Sequence, residues 1–171
     1  MKSVFFFLAS GIWASGALWA QLCCPRIPEI PLDKPFVINM TAIGIFLNNL
    51  KMLLFNISGL VSCGIPTLFT LLLNGFVFGL LIRNAVDAGL PLHVIGFKTL
   101  PHFPEYIAIW LSGAIGLSGM QLFIRLTRSG TVPIIETDFK IIMKFILLCL
   151  LCIFMAALIE KNIILTAISW E

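Results

Sequence analysis

An unbroken run of apolar residues extends from Phe145 to Ile159, toward the carboxyl end of the chain. A membrane-spanning β-strand would alternate apolar and polar residues, and this run contains no such alternation. A continuous apolar segment is typical of a helix in a lipid bilayer, where every backbone polar group must be bonded within the helix. The run therefore predicts an all-α integral membrane protein and argues against a membrane β-barrel.

The composition extends this prediction to the whole chain. Of the 171 residues, 60% are hydrophobic and only 11% are charged, whereas about 25% of residues are charged in a soluble domain. Since one helical crossing needs about 20 residues, the chain has room for about five or six crossings at most and for no separate soluble catalytic domain. The net charge of +3 is spread over the loops, so we expect the lipid bilayer, and no nucleic acid, as a partner.

The chain divides into three predicted segments. Residues 1–22 form an amino-terminal transmembrane anchor, in which Lys2 precedes a long apolar stretch with Trp19 near its end. A cleaved signal peptide remains the alternative for this segment. Residues 23–35 form a proline-rich extracytoplasmic spacer. Residues 36–171 form the helical membrane domain.

The number of crossings depends on residues 36–82. The breakers in Ser62–Pro66 predict a tight hairpin between two helices, and a single long crossing is the alternative. The hairpin gives about five crossings, with the amino terminus in the cytoplasm and the basic cluster Arg125–Lys144 on the same side, as the positive-inside rule favours. Residues 84–99 are then predicted to be a turn-rich connection, with His93 in a loop.

The segment from Leu100 to Met120 carries two ionisable groups, His102 and Glu105, at the mouth of an apolar helix. Small and polar residues follow them at spacings of three, four and seven, which places the set close to one helical face. Because such a face is turned toward protein in a membrane, we expect it to contact neighbouring helices. The other members of this face are Ser112, Gly116 and Gly119.

Polar side chains at membrane depth are candidates for a functional cluster. We expect His102, Glu105 and Asn74 to form one buried hydrogen-bonded cluster near the extracytoplasmic face, because an unpaired carboxylate in a low-dielectric setting is costly. For Glu160, pairing with adjacent Lys161 or a position among headgroups is favoured over a buried functional role. A metal site would need a third ligand, so neither a metal nor a cofactor is predicted. The full set of candidates is Asn49, Asn74, His102, Glu105 and Glu160.

Glycines form a second predicted set. Small residues let the backbones of neighbouring membrane helices approach closely. These glycine faces, and the asparagines near them, exceed what five short helices can cover, so we expect the chain to act together with other subunits. The predicted helix-packing residues are Gly59, Gly75, Gly79, Gly113, Gly116 and Gly119.

A fixed order of short motifs runs through residues 40–161. The first half contains Asn48-Asn49-Leu50-Lys51, Gly59, Gly64, Pro66-Thr67, and Asn74-Gly75 with Gly79. The second half contains Pro101-His102-x-x-Glu105-x-x-Ala108, Gly113-x-x-Gly116-Leu117-x-Gly119 and Ile159-Glu160. Together these motifs resemble the stage II sporulation protein M family. The family usually has glycine directly after the motif histidine, where this chain has Phe103.

The resemblance implies a small multispan bacterial or archaeal membrane protein with a fold similar to the membrane half of type-2 ABC exporters. It also implies partners, because members of the family work with a peptidoglycan-degrading pair or are encoded beside transport ATPases. We therefore expect a non-enzymatic scaffold or anchor subunit in the cell (inner) membrane, in complex with a peptidoglycan hydrolase or a transport ATPase. The alternative is a permease-like subunit of an ABC-type exporter, for peptide or bacteriocin export or immunity.

Overall fold

The structure, a computed structural model, describes residues 3–23, 41–129 and 136–168. These residues form helices and turns, and no strand occurs among them. The predicted all-α fold is therefore confirmed. In chain order the elements are α1 (Ser3–Cys23), α2 (Ala42–Ser58), α3 (Ile65–Asp87), α4 (Leu92–Thr99), a 3₁₀ turn (Leu100–His102), α5 (Phe103–Ser129) and α6 (Glu136–Ile168).

Four helical stretches are long and apolar enough to cross a membrane, namely α1, α3, the stretch Leu92–Arg128 and the part of α6 from Phe139 to Asn162. The fifth apolar helix, α2, is shorter. Large apolar side chains, such as Phe69 and Leu147, are exposed on the outside of the bundle, as lipid contact requires. The chain is a multi-pass membrane protein with about five membrane helices, as the sequence predicted.

The break between α2 and α3 has a local cause. The two residues directly before α3, Cys63 and Gly64, have φ values of 55° and 80°. These values lie in the left-handed region, which stops a helix. Pro66 follows in the first turn of α3, where its missing N–H costs nothing. The hydroxyl of Thr67 then donates to the main-chain oxygen of Asn56 at 2.7 Å. The predicted hairpin is confirmed.

Helices α1 and α3 run parallel to each other along a contact that we call the glycine seam, formed by Gly75 and Gly79 of α3 against Trp13 and Ala17 of α1. A Cβ atom at Gly75 would overlap the carbonyl oxygen of Trp13, and one at Gly79 would overlap that of Ala17. At the end of the seam, Arg83 donates to main-chain carbonyls in the last turn of α1. The seam makes α1 part of the same bundle as the other helices.

A second close contact joins α5 to the hairpin. Cβ atoms at Gly116 and Gly119 would overlap main-chain oxygens of Asn56 and Gly59. In the same contact, the fully buried amide of Asn56 donates to the hydroxyl of Ser112 at 3.0 Å. The face of α5 that carries these small residues is buried against its neighbours, as predicted from the spacing.

These contacts correct one argument from the sequence. The glycine faces were expected to exceed what the chain itself could cover. Instead, Gly59, Gly75, Gly79, Gly116 and Gly119 approach main-chain or side-chain atoms of other helices of this chain, and Gly113 lies against the side chain of Leu71. The glycines therefore give no reason to expect a partner subunit.

A second correction concerns residues 84–99, which were predicted to be a turn-rich connection. Helix α3 continues to Asp87, and α4 occupies Leu92–Thr99, so His93 lies on a helix and not in a loop. The turn is confined to the four residues between them, where Gly89 has a φ of 78°. A glycine such as Gly89 can end a helix, and a proline such as Pro91 can start one. Gly96 is tolerated inside α4 at modest cost. The predicted spacer at residues 23–35 lies almost wholly outside the described residues.

Candidate functional site

The ionisable residues of the Leu100 segment meet a carboxylate from the far end of the chain. The Nδ1 atom of His102 lies 2.8 Å from Oε1 of Glu160 and 3.6 Å from Oε2 of Glu105. These residues come from three elements, since His102 ends the 3₁₀ turn, Glu105 is in the first turn of α5 and Glu160 is in the last third of α6. We call this group the histidine–carboxylate cluster.

Two prolines explain the position of His102. Pro101 is inside the 3₁₀ turn and Pro104 is in the first turn of α5. A proline is tolerated at the start of a helix, where its missing N–H has no partner to lose, but it prevents the preceding segment from continuing smoothly into it. The α-helical hydrogen-bonding pattern is therefore interrupted by a 3₁₀ turn between α4 and α5, and His102 is the last residue of that turn.

The cluster is partly buried at one end of the bundle. The exposed fractions of the side chains are 40% for His102, 21% for Glu105 and 17% for Glu160. Lys98 and the ion pair of Arg83 with Asp87, whose closest atoms are 3.7 Å apart, lie on elements of the same end. This end is where α1, α3 and α6 finish and where α2 and α5 begin, which is the extracytoplasmic end if the amino terminus is in the cytoplasm.

One imidazole nitrogen faces both carboxylates. Nδ1 of His102 can carry a single hydrogen, which suits a bond to Glu160 at 2.8 Å. The 3.6 Å separation from Glu105 is too long for a hydrogen bond. The acceptors on Glu105 are therefore not satisfied by His102. Nδ1 thus faces two carboxylates but can donate a hydrogen bond to only one of them, Glu160.

The predicted hydrogen bond between Asn74 and Glu105 is wrong. The Asn74 amide donates to the main-chain oxygen of Thr70 at 2.7 Å and lies 3.5 Å from the sulfur of Met52. No hydrogen bond joins it to Glu105 among the contacts of the described residues. An asparagine inside a helix readily bonds to the carbonyl one turn earlier, and that local bond outcompetes the longer contact. Asn74 still lines the same cavity as His102 and Glu105.

The prediction for Glu160 is also corrected. The sequence favoured pairing with Lys161 or a place among headgroups, but Glu160 accepts from His102 and is largely buried. Adjacent residues on a helix point in different directions, so Lys161 cannot follow Glu160 inward. The pairing joins residues 58 positions apart, a distance at which helical periodicity carries no information. The signal that could have found it was the Ile159-Glu160 motif in the family resemblance.

Asn49 occupies a small cavity beneath the cluster. Its residue is only 8% exposed, and its amide nitrogen is buried without a hydrogen-bond partner. The cavity has a volume of about 10 Å³ and is also lined by Glu105 and Ser112. That volume is about the size needed for one water molecule. Asn49 therefore shares a cavity with Glu105 and has an amide N–H that donates to no other group among the described residues.

A larger cavity opens beside the cluster. Its volume is about 330 Å³, at the low end of the range for sites that bind small molecules. Apolar side chains of α1, α3, α4 and α5 form part of its lining. The polar residues that line it are Asn74, Lys98, Thr99, His102, Glu105 and Tyr106.

The sequence places this arrangement in a known family. The family described as stage II sporulation protein M matches residues 3–163. An uncharacterized protein of Methanocaldococcus jannaschii is 30% identical over 139 residues, which cover 80% of this chain and 74% of that protein. No solved structure matches the chain significantly. Since the match extends from the start of α1 to the end of the cluster in α6, the chain belongs to the stage II sporulation protein M family.

Proposed function

We propose that the protein is a non-enzymatic integral membrane subunit of a larger complex in the cell membrane and that it contacts another subunit through α2. The supporting observation is a polar pair, Asn48 and Lys51, which is exposed on this apolar helix. The two residues are one turn apart and share a face. Within the described residues, Lys51 has no carboxylate partner.

The depth of Lys51 argues for a protein contact. With a rise of 1.5 Å per residue, Lys51 is about 13 Å from the start of α2 and about 10 Å from its end. Helical side chains point toward the amino-terminal end of their helix, so snorkelling toward the nearer end works against the direction of the side chain. An ammonium group at this depth is costly in lipid. A neighbouring subunit that supplies an acceptor would remove that cost.

The chemistry of the face limits the partner. An ammonium and an amide on one turn fit a membrane helix that carries a carboxylate, or a pair of amide side chains, at the same depth. We propose the membrane segment of a peptidoglycan hydrolase assembly or of a transport ATPase system as that partner. The non-enzymatic part of the proposal is supported by the fold, since nearly all described residues are in helices of the bundle.

A photocrosslinking residue at Lys51 tests the contact in native membranes. We expect a crosslink to one membrane protein from position 51 and none to protein from position 151, where Leu151 is exposed on the middle of α6 and 53% accessible. The partner should carry an acidic or amide residue at the crosslinked helix.

A substitution gives the second half of the test. Lys51→Leu should leave the isolated chain folded, because the side chain is exposed, and should dissociate the complex on a native gel. Leu54→Ala is the matched control on the same helix, because Leu54 is exposed and apolar. A complex that persists with Lys51→Leu, or a chain that is monomeric in mild detergent directly from native membranes, would contradict the proposal.

A permease-like subunit is the second candidate. The observation that favours it is the cavity of about 330 Å³, whose lining includes the polar residues Asn74, His102 and Glu105. Deeper along α5, Ala114, Ile115 and Leu117 are fully buried, so the cavity does not continue as a polar channel along this helix. A neighbouring gene for an ATPase with a phosphate-binding loop, and ATP-dependent export that Glu105→Gln abolishes, would favour this candidate over the scaffold.

A further inference from the structure

The histidine–carboxylate cluster brings together three side chains that can each offer a ligand atom to a metal. The ligand atoms of His102, Glu105 and Glu160 all lie within 4.8 Å of one another. A divalent ion with bonds of about 2.1 Å to nitrogen and oxygen places neighbouring ligand atoms about 3.0 to 3.4 Å apart. The observed separations of 2.8 Å and 3.6 Å from Nδ1 bracket that range. Side-chain rotations that also bring the two carboxylates, which lie within 4.8 Å of each other, to this spacing would close the three ligands around one ion.

The charge of the cluster also fits a cation. Two carboxylates share one imidazole nitrogen, and its single hydrogen can serve only Glu160. A protonated imidazole would leave one negative charge over, and a neutral imidazole would leave two. A divalent cation bound to a neutral imidazole and two carboxylates gives a net charge of zero, which suits a partly buried site at the end of a membrane bundle.

Asn49 supplies an independent observation beside the ligands. Its side-chain amide is more than nine-tenths buried and its nitrogen has no partner. It lines the small cavity that Glu105 also lines. Ligating carboxylates in metal sites are commonly held by a hydrogen bond from a neighbouring group. The Asn49 amide is placed to give Glu105 this support through one water molecule in the cavity that both residues line.

The larger cavity gives the cluster access from outside the bundle. His102 and Glu105 form part of its wall, so an ion could enter from that side and keep water or a small ligand in its remaining coordination positions. Three protein ligands with an open position are typical of accessible metal sites, whereas structural zinc sites are closed by four protein ligands.

We propose that His102 Nδ1 and the carboxylates of Glu105 and Glu160 bind a divalent transition-metal ion such as Zn²⁺ or Mn²⁺. The imidazole favours a transition metal over Mg²⁺ or Ca²⁺, and the two carboxylates favour it over Cu⁺. The sequence argument against a metal site was that a third ligand was absent, and Glu160 is that third ligand. This proposal is independent of the subunit role, because the site is formed within one chain.

The test uses the full-length protein in detergent after treatment with a chelator and desalting. Calorimetric titration with Zn²⁺ and optical titration with Co²⁺ should each show one ion bound per chain. Glu105→Gln and Glu160→Gln should each weaken Zn²⁺ binding by at least about tenfold. Glutamine at position 160 can still accept the hydrogen bond from His102, so this variant should remain folded.

Matched controls come from the same end of the protein. His93→Ala removes the other histidine, which is exposed on α4, and Asp87→Asn removes an exposed carboxylate. Both should bind Zn²⁺ as the wild type does. The Co²⁺ spectrum separates this site from Cys149 and Cys152 on α6, because thiolate ligands add charge-transfer bands that a nitrogen and oxygen site lacks.

Three results would overturn the proposal. The first is a folded wild-type chain that binds neither ion more tightly than about 100 µM. The second is unchanged Zn²⁺ affinity in Glu160→Gln. The third is a Co²⁺ spectrum with thiolate bands in the wild type, which would assign the ion to cysteine. The spectrum of the wild type decides the question even if a ligand variant fails to fold.

Discussion

The glycine seam and the histidine–carboxylate cluster hold the bundle together in opposite ways. In the seam, backbones of α1 and α3 touch because Gly75 and Gly79 have no side chains. In the cluster, long polar side chains of His102 and Glu160 reach across a gap between helices. The seam is apolar and tolerates no added atom, whereas the cluster is partly exposed and adjoins a cavity. The comparison indicates that the seam is structural and that the cluster is free to serve function.

The largest expected effect is at the seam. Gly75→Leu should prevent α1 from docking, because even the Cβ atom would overlap the carbonyl oxygen of Trp13 and backbone cannot yield. We expect a loss of more than about 3 kcal/mol in the free energy of unfolding, or no folded protein, in SDS titrations from mild detergent. Gly11→Ala on α1 is the control, since nothing lies within 4 Å of its added Cβ. A Gly75→Leu chain as stable as Gly11→Ala would show that the seam does not exist.

A smaller effect is expected at the second close contact. Asn56→Ala removes a fully buried side chain and its hydrogen bond to Ser112. The lost bond and the resulting cavity should together cost about 1 to 3 kcal/mol in the same unfolding measurement. Asn48→Ala, at an exposed position on the same helix, should change the stability of the isolated chain by less than about 0.5 kcal/mol. Equal effects of the two substitutions would contradict the assignment of Asn56 to the core.

The sequence predicted the seam better than the cluster, for a physical reason. The spacing of glycines along one helix defines a face, and such a face packs against some other helix. Gly75 and Gly79 could therefore be assigned to helix packing without knowing that α1 was the partner. The same holds for the break at Gly64-Ile65-Pro66, which depends on local backbone geometry. The amphipathic periodicity of α5 likewise placed Ser112 and Gly116 on the buried side.

The cluster depends on how distant helices are arranged, which local patterns do not encode. The meeting of His102 with Glu160 requires α6 to finish beside the start of α5. Asn74 was assigned to the cluster because a carboxylate in a low-dielectric setting needs a donor, yet its amide bonds to the carbonyl of Thr70 on its own helix. The prediction for Asn74 therefore failed because it did not consider a competing hydrogen bond within the same helix.

At the cluster, the apo protein should be less sensitive than either helix contact. Glu160→Gln replaces a charge-assisted hydrogen bond with a neutral one, which should cost about 1 kcal/mol in the free energy of unfolding. The same substitution should abolish the increase in thermal unfolding temperature that Zn²⁺ gives the wild type. An apo variant destabilised as strongly as Gly75→Leu would make the cluster a structural element and remove the contrast between the two regions.

The smallest expected effect is at Asn74. Because Asn74 bonds to Thr70 and Met52 and not to Glu105, Asn74→Ala should change the affinity for Zn²⁺ by less than about twofold and the stability by less than about 1 kcal/mol. Asn49→Ala is the informative comparison, since it removes the donor beside Glu105 and should weaken Zn²⁺ binding about tenfold. If the same calorimetry showed that Asn74→Ala weakens Zn²⁺ binding more than Asn49→Ala does, Asn74 would belong to the site.

The most direct test of the site is an anomalous-diffraction map from crystals of the full-length protein grown with Zn²⁺. The arrangement predicts one strong peak about 2.0 to 2.2 Å from Nδ1 of His102 and from one oxygen each of Glu105 and Glu160. It also predicts that α6 finishes beside the start of α5 with these side chains facing each other. A map with no peak there, or with His102 and Glu160 more than about 6 Å apart, beyond any direct bond, would contradict the account.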